Sequence, residues 1–97
     1  MKVEYSPRAL SDLRSIAAYY VSTEYPSVGE KVAARIREVV ARLAAFPASG
    51  RPVPRRPGLR VVPLLQYPYV IFYRVTAPDI LRIAHIRHTS RQPWPGN

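Results

Sequence analysis

LRVVPLLQYPYVIFYRVTAPDILRIAHIR, residues 59–87, decides the architecture. Its three apolar runs, 59–65, 69–75 and 80–87, are rich in β-branched and aromatic residues, and turn-forming residues separate them at 66–68 and 77–79. Connections this short join antiparallel neighbours, so the segment predicts a β-meander over about 59–87. Pro63 cannot donate to a ladder, which predicts an edge, a bulge or a short start in the first run. In the second run, alternation predicts Phe72 and Val70 toward the core, with Tyr69 and Tyr73 sharing the other face. In the third, Leu81, Ile83 and His85 alternate, which turns His85 toward the apolar layer and leaves His88 beyond the strand, facing solvent.

Upstream lies PASGRPVPRRPG, residues 47–58, a basic proline-rich loop too short to link domains. Before it, two helical patterns occupy about 7–46. Ser6 as N-cap and Pro7 at the first helical position open one of them. Leu10, Leu13, Ile16, Ala17 and Tyr20 give it an apolar stripe, and it ends near Thr23. Pro26 breaks the pattern. Ser27 with Glu30 predicts a capping box for the second helix, striped by Val28, Val32, Ile36, Val39, Val40, Leu43 and Phe46. Tyr19, Tyr20 and Tyr25 read as packing within this hairpin. Residues 2–5 (KVEY) alternate as a short strand. The order β-α-α-β-β-β predicts an α+β fold of two layers, an antiparallel sheet packed on an α-helical hairpin. A single domain over 1–97 is expected, with a tail at 88–97.

Charge is the second bound. Fifteen basic residues face six acidic ones, giving a net +9. From residue 49 onward the bases are Arg51, Arg55, Arg56, Arg60, Arg74, Arg82, Arg87 and Arg91, against Asp79 alone. Such asymmetry predicts an anionic partner, and planar bidentate donors suit carboxylate or phosphate. The absence of cysteine excludes disulfides and thiolate metal sites. The opening residues lack the apolar run of a signal peptide, and no apolar stretch is long enough to span a bilayer. A soluble cytoplasmic protein with no membrane contact is expected.

Chemistry concentrates toward the end of the chain, in ILRIAHIRHTSRQPWPGN, residues 80–97. Cleaving an RNA phosphodiester needs a base, an acid and cations for the phosphorane. His85 and His88 are of the residue type that serves as base or acid, Arg74, Arg87 and Arg91 are suited to holding phosphate, and Tyr67, Tyr69 or Tyr73 are suited to donating a proton. If the protein is a ribonuclease, His85, Arg87, His88 and Tyr73 are its candidate catalytic residues. Asp79 is the only acid near the histidines, so neither a metal site nor another cofactor is expected. Trp94, between Pro93 and Pro95, either pins the tail to the body or anchors a partner.

The ordered set SPRALSDLRSIAAYY (6–20), Pro57-Gly58-Leu59-Arg60, YPYVIFYRV (67–75) and ILRIAHIR (80–87) resembles the RelE/ParE superfamily of toxins from type II toxin–antitoxin modules. The resemblance covers nearly the whole chain and implies the fold derived above, with an acidic, ParD-like antitoxin laid across it in a hetero-oligomer. RelE-like members cut messenger RNA on the ribosome, whereas ParE-like members poison DNA gyrase by binding. Where RelE-like chains carry paired lysines and an early third-strand arginine, this one has Val61, Val62, Pro63, Leu64, Leu65 and Val70. His85-Ile86-Arg87 and the Pro-Gly-x-Arg before the second strand are closer to ParE. The resemblance therefore implies a plasmid-stabilisation-type toxin acting on gyrase. Arg74, Arg82, Arg87, Arg91 and Trp94 are expected toward the target, and Arg51, Arg55, Arg56 and Arg60 toward the antitoxin. A RelE-like endoribonuclease is the alternative reading. A basic nucleic-acid-binding module without toxicity is the third.

Overall fold

The computed structural model describes residues 1–23 and 25–90. The elements are β1 (Lys2–Tyr5), α1 (Pro7–Val21), α2 (Pro26–Ala45), β2 (Arg51–Pro52), β3 (Arg60–Pro63), β4 (Tyr69–Ala77) and β5 (Ile80–His88). They form one five-stranded sheet in the order β1-β5-β4-β3-β2, with the helical pair on one side. The meander β3-β4-β5 is antiparallel as the short turns require. The sheet as a whole is mixed, because β1 lies parallel to β5 and pairs Lys2 with Ile80 through Tyr5 with Ile83. The proline-rich loop also contributes β2, a two-residue edge strand beside β3. Pro52 within it has no amide hydrogen to offer a further strand.

Ser6 opens α1 as expected: its Oγ accepts the Ala9 amide at 2.9 Å, with Pro7 in the first turn. The same hydroxyl donates to the Ala84 carbonyl at 2.8 Å, tying the helix start to β5. Ser6→Ala would leave the Ala9 amide and the Ala84 carbonyl without this partner in a buried place. A loss of about 2 kcal/mol in folding free energy is expected. Urea unfolding checks it, and a loss under about 0.5 kcal/mol would contradict the double role.

Two helix boundaries differ from the sequence reading. The first helix stops at Val21, where Ser22 and Thr23 turn their hydroxyls back onto the Tyr19 and Tyr20 carbonyls. The second starts at Pro26, so Ser27 already lies inside it and the Ser27–Glu30 box does not form; Tyr25 is the N-cap, without a side-chain bond. Val32, Ile36, Val39, Val40 and Leu43 are the buried stripe of α2, whereas Leu10 and Phe46 are exposed. Helix α1 buries only Ala9 fully, with Leu13, Ile16 and Tyr20 packed partly against the core. The helices approach closely at Gly29, where a Cβ would stand 2.7 Å from that of Tyr20.

The core is the layer between α2 and the inner sheet face, where Ile71, Tyr73, Leu81, Ile83 and Ile86 meet the α2 stripe. Fully burying an Ile or Leu side chain contributes roughly 1.5–3 kcal/mol. This corrects the expected faces of β4. Tyr69, Ile71 and Tyr73 point inward, and Val70, Phe72 and Arg74 occupy the outer face. Ile71 decides it, because the run pairs Ile71 with Ile86 and Tyr73 with Ile83 across the ladder.

Candidate functional site

The site is built by a bulge. Tyr73 pairs with Ile83 and Phe72 with His85, so Ala84 is an extra residue in β5. One inserted residue shifts the alternation of everything after it. Ile83 and Ile86 therefore both reach the core, while His85 and Arg87 turn to the outer face beside Phe72 and Val70. A regular strand would have placed Leu81, Ile83, His85 and Arg87 on one side, which is why His85 was expected in the apolar layer.

Backbone bonding at the bulge is completed by α1. β1 covers the free edge of β5 as far as Ile83, and there the Ser6 amide donates to the Ile83 carbonyl at 2.9 Å. Ser6 Oγ then serves the Ala84 carbonyl, and the Asp12 carboxylate accepts the Ile86 amide at 2.9 Å. The same Asp12 oxygen lies 2.6 Å from His85 Nδ1. An ionised carboxylate can only accept, so Nδ1 carries the proton. His85 is 3 % exposed and stacks on Phe72 at 5.9 Å, with the rings 14° apart.

Burial pushes the His85 pKa below its ordinary value; the Asp12 bond opposes this shift, and the Arg8 and Arg87 charges reinforce it. The unfolded chain therefore protonates near pH 6.5, while the folded chain resists to lower pH. The contribution is full above the unfolded pKa and is lost as pH falls through the folded one. Urea midpoints at about pH 7.5 and about pH 5.5 should show lower stability at the acid value, with the difference reduced in His85→Asn. Equal midpoints for the unaltered protein would contradict a neutral buried imidazole.

Arg87 sits over the Phe72 ring, its Cζ 5.8 Å from the centroid. Its Nε is buried and has no hydrogen-bond partner among the described residues. It borders a groove of about 440 Å³ whose floor is Val61, Val70 and Phe72, with Arg51 on the opposite wall. Arg74 and Arg82 pair across the ladder on this same face, and Arg82 donates to Glu4 at 2.9 Å. Arg91 and Trp94 lie outside the described residues. Three of the five expected target-facing residues thus share one face.

The other groupings separate. Arg60 points away from that face and donates to the Gly50 and Ala48 carbonyls at 2.7 and 3.3 Å, so it fastens the 47–50 loop. Arg55 and Arg56 line a different hollow, of about 270 Å³. Tyr73 is fully buried; its hydroxyl accepts the Gly50 amide and donates to the Pro47 carbonyl, both at 2.8 Å. Both hydrogen-bonding directions of the hydroxyl are thus occupied in the core. His88 lies toward the helices, edge-on to Tyr69, and its Nδ1 faces the Ser90 amide and hydroxyl. His85, Arg87, His88 and Tyr73 are therefore divided among three places. No group of three or more His, Asp or Glu residues suited to a metal occurs among the described residues, and none of their helices is long and apolar enough to cross a membrane.

The family profile of the ParE toxin of type II toxin–antitoxin systems (parDE) matches residues 3–93. The chain belongs to the ParE toxin family. Its similarity to Y4kP of Sinorhizobium fredii (strain NBRC 101917 / NGR234), which bears a provisional toxin name, is 37 % identity over 95 residues, covering 97 % of this chain and 93 % of that one. A chain of the chromosomal ParDE system from P. aeruginosa superposes with a TM-score of 0.78 at 28 % identity, covering 93 % of this chain and 97 % of the other. The isolated E. coli RelE toxin superposes at 0.63 with 14 % identity, covering 94 % and 86 %, and so shares the fold.

In this ParE-family chain the residues that shape the site, Ser6, Asp12 and Phe72, were absent from the sequence-based site expectations. A signal did exist: Leu81, Ile83 and Ile86 are spaced by two and then by three, which marks an inserted residue in an otherwise alternating strand.

Proposed function

We propose that this toxin acts by binding, with the outer sheet face around Arg87 as its contact for a type II topoisomerase. The observation that carries the reading is the dispersal of the groups an RNA-cleaving site would have to unite. Tyr73 is locked in the core, His85 is buried with Nδ1 on Asp12, and His88 lies on the helix side. Arg87, by contrast, is a guanidinium without a hydrogen-bond or ion-pair partner among the described residues, beside an apolar groove. Desolvated arginines next to aromatic floors are the usual anchors of protein interfaces. Arg74 and Arg82 extend the surface, with Arg91 and Trp94 assigned to it from the sequence.

Neutralisation falls to an acidic antitoxin in a hetero-oligomer, for which the net +9 and the Arg55 and Arg56 rim are suited. Pulse labelling of cells expressing the toxin alone tests the target class. DNA synthesis should fall before protein synthesis. Immediate arrest of protein synthesis with cut messenger RNA would favour an endoribonuclease, and tight salt-dependent binding to plain DNA or RNA without arrest would favour a nucleic-acid-binding module.

A further inference from the structure

We infer that Asp12 is a positioning residue for Arg87: by gripping the strand beyond the Ala84 bulge, its carboxylate sets where the guanidinium stands on the outer face. The inference rests on the reading of that face as the target contact.

Asp12 belongs to α1, on the helix side of the sheet, and its own side chain is largely covered. Yet one of its oxygens holds two consecutive residues of β5, the Ile86 amide at 2.9 Å and the His85 ring at 2.6 Å. Arg87 is the next residue. The phase of the strand at Arg87 depends on the extra residue at Ala84, and a bulge leaves backbone groups that the neighbouring strand cannot serve. β1 ends before reaching them, at Tyr5 opposite Ile83. Without the carboxylate, the Ile86 amide loses its partner and the His85 ring loses its bond at Nδ1. The ring stacked on Phe72 is then held less firmly, and Phe72 is the platform under Arg87. The chain of support runs Asp12, His85, Phe72, Arg87, with a second branch through the Ile86 backbone.

The test is a double-mutant cycle on growth arrest, read as the amount of toxin per cell that gives half-maximal arrest in the absence of antitoxin. Asp12→Ala should raise that amount about tenfold, since sub-ångström misplacement of a key group carries penalties of this order. Asp12→Asn keeps an acceptor oxygen in the same place and should stay within about threefold of the unaltered toxin. Added to Arg87→Ala, Asp12→Ala should cost nothing further. Added to Arg82→Ala, on the near side of the bulge, it should multiply, as independent sites do.

A merely structural role would lower potency by the same factor on both backgrounds, and that result would overturn the inference. So would unaltered potency of Asp12→Ala, or of Arg87→Ala alone. If Asp12→Ala does not accumulate, Asp12→Glu, which moves the carboxylate by one methylene, carries the same cycle under the same criteria. Because arrest is read without reference to the target, a cycle that couples while gyrase is unaffected supports the positioning and sinks only the target.

Discussion

Gly50→Ala should lower the folding free energy by about 3 kcal/mol, a large share of the roughly 5–10 kcal/mol that a chain of this size holds. Gly50 is buried, and a Cβ there would crowd the Tyr73 hydroxyl oxygen most closely and stand 2.6 Å from Tyr73 Cε1 and 2.9 Å from its Cζ. The phenol ring cannot retreat, being fully buried under the helices with its hydroxyl held by the Gly50 amide and the Pro47 carbonyl. The loop cannot retreat without releasing Arg60, whose guanidinium is bound to the Gly50 carbonyl. One methyl group therefore strikes three linked interactions. Urea unfolding measures the loss. The pair Gly50→Ala with Tyr73→Phe should lose less than the two single losses combined, because removing the hydroxyl relieves the crowded atom. A loss under about 1 kcal/mol would mean that Tyr73 does not clasp the loop.

Arg87→Ala should raise the toxin dose for arrest about tenfold or more, equivalent to a loss of at least 1.4 kcal/mol of target binding. Its stability should change by less than about 1 kcal/mol, since the guanidinium makes neither a hydrogen bond nor an ion pair with the described residues. Arg60→Ala should show the opposite profile, weakening the fold through the 47–50 loop with little direct effect on target contact. Arg82→Ala belongs between them, because Glu4 already occupies part of its bonding capacity. Arrest curves normalised to toxin per cell, set beside melting curves, separate the three.

Much of the fold was legible because apolar spacing is a local signal. The stripe Val32, Ile36, Val39, Val40 and Leu43 reads directly as a helix face, and Ser6-Pro7 reads as a helix start. The parallel placement of β1 against β5 was not legible, since nothing in KVEY specifies its partner. Face assignment failed in β4 because every residue of the run 69–73 is apolar or aromatic, so alternation there carries little contrast. The facing of His85 was misjudged for a nonlocal reason. His85 points outward because Ala84 is an extra residue in β5, and the backbone groups around it are bonded by Ser6 and Asp12, more than seventy residues earlier. Charge singles out the arginines as a class, but it does not distinguish Arg60, spent on loop carbonyls, from Arg87, which lies on the outer face.

The most direct test combines purified toxin, DNA gyrase and relaxed plasmid, with Arg87→Ala in parallel. Loss of supercoiling by the unaltered toxin, at doses where the variant leaves it intact, is the predicted result. Full supercoiling with both proteins at high excess, accompanied by cleaved messenger RNA in a translating extract, would contradict the account.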